Sequence, residues 1–395
     1  MPDFLQISSD LVWPFALAFA WIAGEFSHRF TRMPRISSYG IVGFLLGYRQ
    51  TGFLPYSDGG TITVLANIAF GLILFELGYR INLRWLRSNP WLGVTSLVES
   101  GLTFAAVYIV AQWFGMPFIP SLLLSSLAMA TSPAAVLRVV NEQRSSGQVT
   151  ERILHLSAFN CVLAVFTFKV IVGLWVFQST GDIFHSLWNS LIVLLVSASM
   201  GGIFGAAVPG LLRTIGNTGR DATVAFAIAV IILVALTHTL KFSPVPAALA
   251  FGLMARHRRI AFGQAQQNFG VLGNLLTVLL FVFMAATLEW PMVWAGFGLA
   301  LALMAARFTA KTLGVVVFAR VSGITWRKGL LTGMALTPLS AFVILLLEQT
   351  RHLGIGLMDE LAALAAVTLL LEVLGPIITQ WALALAHEVP DTKES

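Results

Sequence analysis

Thirteen apolar stretches, most of them long enough to cross a bilayer, leave this chain almost no choice of fold class. They run at about 11–28, 37–48, 61–79, 91–114, 118–140, 152–178, 186–212, 222–238, 244–255, 268–288, 291–319, 328–347 and 361–386. A helix needs roughly 20 apolar residues to cross the hydrocarbon core. Only the second and ninth stretches are short, and both are rich in Gly, Ala or Pro. With 11% charged residues the chain cannot cover a water-facing surface, for which about 25% is usual. The reading is an all-α polytopic membrane protein of about thirteen transmembrane helices.

The basic residues orient it. With the N-terminus outside, cytoplasmic loops hold Arg29, Arg32, Arg35, Arg80, Arg84, Arg87, Arg144, Arg152, Arg213, Arg220, Arg256, Arg258, Arg259, Arg320, Arg327, Lys328 and Lys393. The opposite loops hold only Arg49, Lys241 and Arg351. A bias of that size sets topology, and miscounting one helix would scramble it, so the C-terminus is expected in the cytoplasm. The net charge of +6 follows from this loop bias rather than from a nucleic-acid partner. The start, "MPDFLQISSD", is acidic and unlike a cleaved signal peptide. No lipidation motif and no soluble regulatory domain are expected. The single cysteine excludes an intramolecular disulfide and a multi-cysteine metal site.

A weak internal repeat runs through the chain. "MATSPAAV" (129–136) and "MALTPLSA" (334–341) share Met-Ala-x-Ser/Thr-Pro at an offset of 205 residues. "ILF" (73–75) pairs with "LLF" (279–281), and "VGFLLG" (42–47) with "LAFGLM" (249–254), at similar offsets. Repeat one then covers about 11–178, a linker helix about 186–212, and repeat two about 222–386. Six crossings plus one linker bring the second copy in from the other side, which makes an inverted-topology repeat of the secondary-transporter kind. Pro133 and Pro338 fall midway along corresponding stretches, each after a hydroxyl residue, Ser132 and Thr337. Proline interrupts a helix, and non-helical backbone at membrane depth survives only inside protein or beside a wet cavity. Both helices are therefore expected to be broken there, at a substrate site near the midplane.

Ionisable residues within a span are functional candidates. All seven aspartates lie in tails or loops. Glu25 and Glu76 each have an arginine four residues later, Arg29 and Arg80, which suggests local ion pairs. Glu348 belongs to an external mouth. Glu99 and Glu372 lie deeper and have no sequence-local cation. Arg307 and Lys311, one turn apart and so on one face, lie too far from either helix end to snorkel. They are expected to be met by Glu372, Glu99, the Asn160 carbonyl or helix C-terminal ends. Lys169 is placed to snorkel outward, and His155 to sit at the interface.

These residues and motifs resemble the transmembrane domain of the monovalent cation:proton antiporter superfamily, on the side of the Kef-type potassium efflux systems. The resemblance spans nearly the whole chain. It runs from "GEFSHRFTRMPRISSYGIVGFLLG" (24–47) through "LILFELGYRINLRWL" (72–86) and "ATSPAAVLRVVNE" (130–142) to "EVLGPIITQWAL" (372–383). It implies broken-helix crossovers at Thr131, Ser132, Pro133 and at Thr337, Pro338, with Lys311 of "AKTLGVVVFARVSG" facing the crossing. It also implies a homodimer, sodium or potassium and protons as substrates, no cofactor and no resident metal, and the inner (plasma) membrane as location. The sequence departs from the pattern where the chemistry lies. The family's acid after Phe-Asn is Cys161, in "FNC" (159–161). Ser340-Ala341 replace a Gly-Glu, and Arg80 stands at a frequent acid.

A thiol suits soft metals rather than alkali cations and stays neutral at pH 7 in apolar surroundings. Three readings follow. Transport persists with Glu99 or Glu372 carrying the coupling; another substrate, such as an anion drawn to Arg307 and Lys311, is moved; or the chain is a non-transporting sensor or scaffold. An enzyme is disfavoured, because there is no Gly-rich phosphate loop, His-x-x-x-His helix or Ser/His/acid set at one depth.

Overall fold

The fifth apolar stretch does not form one helix: Pro133 withholds an N–H, and since Pro14, Pro209 and Pro376 sit inside continuous helices, the break also rests on the partners that the freed backbone groups find in the crossing. Here α6 (Phe118–Ala128) ends, the chain runs extended, and α7 (Pro133–Glu142) begins with proline in its first turn. Ser132 caps the new helix, its Oγ accepting the Ala135 N–H at 3.2 Å. The twelfth stretch does the same: α15 (Trp326–Ala335) stops and Leu336–Ser340 are non-helical. Both breaks expected from the prolines are present.

The computed structural model describes residues 4–48, 50–55, 60–176, 183–215, 222–258, 263–286, 288, 290–340 and 361–390. All regular structure among them is helical. The chain begins with α1 (Phe4–Thr31), α2 (Arg35–Leu46), α3 (Gly60–Arg80), the short α4 (Leu83–Ser88) and α5 (Trp91–Trp113). After the broken pair come α8 (Gln148–Val176), α9 (Ile183–Ile215), α10 (Ala222–Thr239), α11 (Pro244–His257) and α12 (Gly263–Ala286). The eleventh stretch divides into α13 (Trp290–Ala295) and α14 (Phe297–Val317), and α16 (Leu361–Leu385) closes the described fold. Among the described residues, twelve of the thirteen stretches thus coincide with a helix or a helix pair, and the first half of the twelfth coincides with α15. The second half of the twelfth, with Ala341 and Glu348, lies outside the described residues.

Close approach positions the helices around the breaks. Gly314 brings α14 onto α5, where a Cβ would lie 2.5 Å from the Glu99 Cα. Gly375 does the same for α16, where a Cβ would lie 2.6 Å from the Pro338 Cα. Away from this core, α3, α9, α10 and α11 pack around Phe75, Phe226 and Phe251, with ring centroids 4.7, 5.4 and 5.8 Å apart.

The arginine-rich end of the bundle is laced by charge. Glu25 pairs not with Arg29 but with Arg35, at 2.8 Å, because Arg35 at the start of α2 reaches both Glu25 on α1 and Glu142 on α7. His28 also meets Glu142, at 2.7 Å. Glu76 and Arg80 do form the local pair, 3.2 Å apart, and Asn141 bridges both. His155 is buried rather than interfacial; it accepts the Asn82 N–H at 3.2 Å and packs on Trp85. Beyond α16 the chain turns back so that Glu388 accepts the N–H groups of Val149 and Thr150, each at 2.8 Å, in the first turn of α8.

These contacts make Gly314 sensitive to substitution. Gly298, on the same helix, is insensitive, since a Cβ there would meet nothing within 4 Å. Overpacking costs about 1–3 kcal/mol. Thermal unfolding in detergent should show Gly314→Leu melting several degrees below wild type, with Gly298→Leu unchanged.

Candidate ion-binding site

Where two helices end inside the fold, their last carbonyls have no intrahelical partner. Arg307 on α14 takes them up. Its Nε donates to the Ala128 carbonyl at 2.9 Å, and its Nη2 to the Ala130 carbonyl at 2.8 Å and the Pro338 carbonyl at 3.3 Å. Its Nη1 donates to the Thr337 carbonyl. One guanidinium therefore ties the end of α6 to the end of α15. The two extended segments also bond directly, Ser132 N–H to the Pro338 carbonyl at 2.9 Å and Thr131 Oγ1 to the Leu336 carbonyl at 3.3 Å.

One turn further along α14, the Lys311 ammonium donates to the Met129 carbonyl at 2.9 Å and to the Glu99 carboxylate. Both side chains of that ion pair are fully buried. Glu99 comes from α5, whose Ser96, Glu99, Ser100 and Thr103 share a buried face. Asn160 on α8 joins them: its Oδ1 accepts from Ser96 Oγ at 3.1 Å and Ser100 Oγ at 3.2 Å. Its Nδ2 donates to Glu99 Oε1 at 3.4 Å and to Thr131 Oγ1 at 3.2 Å. Ser100 Oγ also lies 3.3 Å from Glu99 Oε2, so its one proton is shared between that oxygen and Asn160 Oδ1. Cys161 is fully buried, and its thiol donates to the Thr131 carbonyl at 3.2 Å.

Ten of the eleven residues singled out in the sequence meet here or in the crossing segments that frame it: Glu99, Thr131, Ser132, Pro133, Asn160, Cys161, Arg307, Lys311, Thr337 and Pro338. The eleventh, Glu372 on α16, does not. It is bonded to neither cation, and neither carboxylate oxygen has a hydrogen-bond partner among the described residues. The expectation that it would share in neutralising Arg307 and Lys311 is corrected: Glu99 meets the lysine and backbone carbonyls meet the arginine. Sequence reasoning passed over Ser96, Ser100 and Thr103, although their spacing of three and four around Glu99 marks one helix face.

A broken-helix crossing, an internal Lys–Glu pair and a polar Asn at depth belong to transporters, and the comparison with known proteins is specific. The model of the transmembrane region of sodium/hydrogen exchangers matches residues 15–385. The chain belongs to the sodium/hydrogen exchanger family. Two solved structures of the sodium proton antiporter MjNhaP1 from Methanocaldococcus jannaschii share the fold of this chain. The one at pH 8 has a TM-score of 0.66 and 16% identity, covering 96% of each chain. The other has a TM-score of 0.71 and 18% identity, covering 99% of this chain and 100% of that one. The low-affinity Na(+)/H(+) antiporter NhaS1 of Synechocystis sp. is 26% identical over 168 residues, 42% of this chain but only 31% of that protein's length. The iron transporter MagA of Paramagnetospirillum magneticum is 21% identical over 359 residues, 87% of this chain and 79% of that protein. Family and fold are those of multi-pass membrane transporters.

Breaking a buried ion pair by removing one partner costs about 3–5 kcal/mol, whereas removing both charges can be nearly neutral. Glu99→Gln and Lys311→Met should each lower the detergent melting temperature sharply. The double variant should fall by clearly less than the two losses combined; strict additivity would count against the pair.

Proposed function

We propose that this exchanger is a secondary active antiporter that moves a monovalent cation, sodium or potassium, against protons by alternating access, with Glu99 and Lys311 as the exchanging pair. One observation carries the reading: Glu99 reaches from α5 to the Asn160 amide, the place beside which the resemblance puts the family's aspartate. The carboxylate that position 161 lacks is supplied from the neighbouring helix. Around it stand Ser100 Oγ, Thr131 Oγ1 and Asn160 Oδ1, hard oxygen donors of the kind that alkali cations take.

Charge balance supports the coupling. The buried pair is neutral, and adding a cation without losing a charge costs several kcal/mol in low dielectric. Lys311 holds a proton in contact with Glu99. A cation on Glu99 restores neutrality when Lys311 gives that proton up, and re-protonation expels the cation. An anionic substrate is disfavoured, since Arg307 and Lys311 are already engaged by carbonyls and by Glu99. One carboxylate among hydroxyl and amide oxygens, with a thiol whose hydrogen points to a carbonyl, suits an alkali cation better than iron. The antiport that gives MjNhaP1 and NhaS1 their names agrees with cation:proton exchange. The same reading takes the chain as two inverted repeats, about 11–178 and 222–386 joined by a helix at 186–212. It places a homodimer in the inner membrane with the N-terminus outside and the C-terminus cytoplasmic.

Reconstituted vesicles with a lumenal pH dye test it. Sodium or potassium added outside should drive proton movement in wild type and in Cys161→Ser, which keeps a donor to the Thr131 carbonyl. Glu99→Gln should lower the rate by a factor of about ten or more, equivalent to about 1.4 kcal/mol of lost ion binding. Glu99→Gln/Cys161→Asp, which returns the charge to α8, should recover part of it. A wild type inert to every alkali cation would sink the proposal in favour of a sensor or scaffold, and Glu99→Gln as active as wild type would sink the assignment of coupling to Glu99.

A further inference from the structure

Glu372 is 3% exposed on α16, and both of its carboxylate oxygens lack a hydrogen-bond partner among the described residues. It faces α2 at Gly40, where a Cβ would lie 3.4 Å from the Glu372 Cγ. Glycine there makes room for the carboxyl. Ser37, one turn earlier on α2, donates to the Val373 carbonyl at 2.8 Å and fixes the register of this seam. Thr368 stands one turn before Glu372 on the same face of α16, the direction in which a helical side chain leans. Its buried hydroxyl also has no partner among the described residues.

No cation among the described residues serves this carboxyl. The elements packed against α16 are α2, α7, α13, α14 and α15. On α2, Arg35 is held by Glu25 and Glu142. On α7 the charged groups are Arg138, which lies beside Tyr39, and Glu142 itself. On α14, Arg307 and Lys311 are taken by carbonyls and Glu99. On α15, Arg327 donates to the Leu385 carbonyl at 3.0 Å, and Lys328 lies 3.8 Å from Glu388. The α13 segment, "WPMVWA", carries no charge.

An isolated carboxylate in such a seam must be neutralised, and it takes a proton or a metal ion to do so. Sodium or potassium would need several oxygen ligands beyond the carboxylate; here the face supplies one hydroxyl. We propose that Glu372 is a second proton-binding site, separate from the Glu99–Lys311 pair, and that its occupancy controls the seam between α2 and α16. The carboxylate takes one proton to become a neutral acid; the Thr368 hydroxyl, one turn away on the same face and not bonded to it in this structure, is the side-chain acceptor that stands next to it. In that state the seam closes dry. Release of the proton leaves a charge that needs water, so it accompanies parting of α16 from α2. This goes beyond the exchange reaction at Glu99 and does not depend on it.

Infrared spectroscopy of the full chain in lipid tests the site without measuring transport. At pH 7 wild type should show the C=O stretch of a protonated carboxylic acid, fading as pH rises. Glu372→Gln should lack that band and Glu99→Gln should keep it. Absence of the band in wild type, its persistence in Glu372→Gln, or its loss on adding sodium or potassium at constant pH would overturn the proposal. Should Glu372→Gln fail to fold, wild type treated with dicyclohexylcarbodiimide, which modifies protonated carboxyls, decides the matter by peptide mass spectrometry. An adduct on Glu372 whose yield falls with rising pH supports the site; none there, with one forming on Glu99, overturns it. Vesicle exchange that proves independent of Glu99 while the Glu372 band remains would defeat the exchange mechanism and leave this inference standing.

Discussion

A helix that stops inside a membrane protein strands carbonyls where lipid offers no donor, at about 1–3 kcal/mol for each group left unpaired. Here two helices stop at one place, and the guanidinium of Arg307 is shaped to serve both. A planar fork with five N–H groups reaches several acceptors at once in a way an ammonium cannot. The same contact settles the charge. Arg307 and Lys311 bring two positive charges into the core, Glu99 brings one negative charge, and each helix C-terminus contributes about half of another. The start of α7 in the same crossing returns about half a positive charge, so the negative groups offset most of the two cations rather than all of them. The crossing geometry and the depth of the lysine both depend on that compensation.

The thiol of Cys161 belongs to the same account. Four consecutive carbonyls, from Ala128 to Thr131, are each met by a donor: Arg307, Lys311, Arg307 again, and Cys161. An ionised aspartate at 161 would set an acceptor against the Thr131 carbonyl, whereas a thiol, though weak, can donate. The negative charge has instead moved across to α5, where Gly314 lets the backbone of Glu99 approach α14 closely enough for Lys311 to reach it. Position and charge are separable in this site. The asparagine stays on α8, the carboxylate comes from α5, and the hydroxyls of Ser100 and Thr131 close the ring between them.

Much of this was legible in the residues. The apolar stretches marked the helices, and the paired prolines with their hydroxyls marked both breaks, because those features act locally. The identity of the coupling carboxylate was not legible. Glu99 and Glu372 read alike: both are deep, both lack a nearby cation in sequence, and both sit on apolar helices. Both of their helices pack against α14; what separates them is which carboxyl meets Lys311, a tertiary fact to which the sequence points only through Gly314, where α5 comes close at Glu99. Glu25 misled for the converse reason, since a satisfying local partner in Arg29 concealed a longer reach to Arg35. The serines flanking Glu99 were readable as a face but were overshadowed by the charge among them.

Glu388 carries a mechanical consequence. Its carboxylate holds the first N–H groups of α8, and its own carbonyl receives the Ser146 N–H at 2.9 Å. Glu388 and the start of α8 are therefore joined by hydrogen bonds, while Asn160 and Cys161 lie on the same unbroken helix about three to four turns away. Displacement of α8 along its axis is felt at that joint, and a force applied at the joint is delivered to the helix that holds the amide and the thiol.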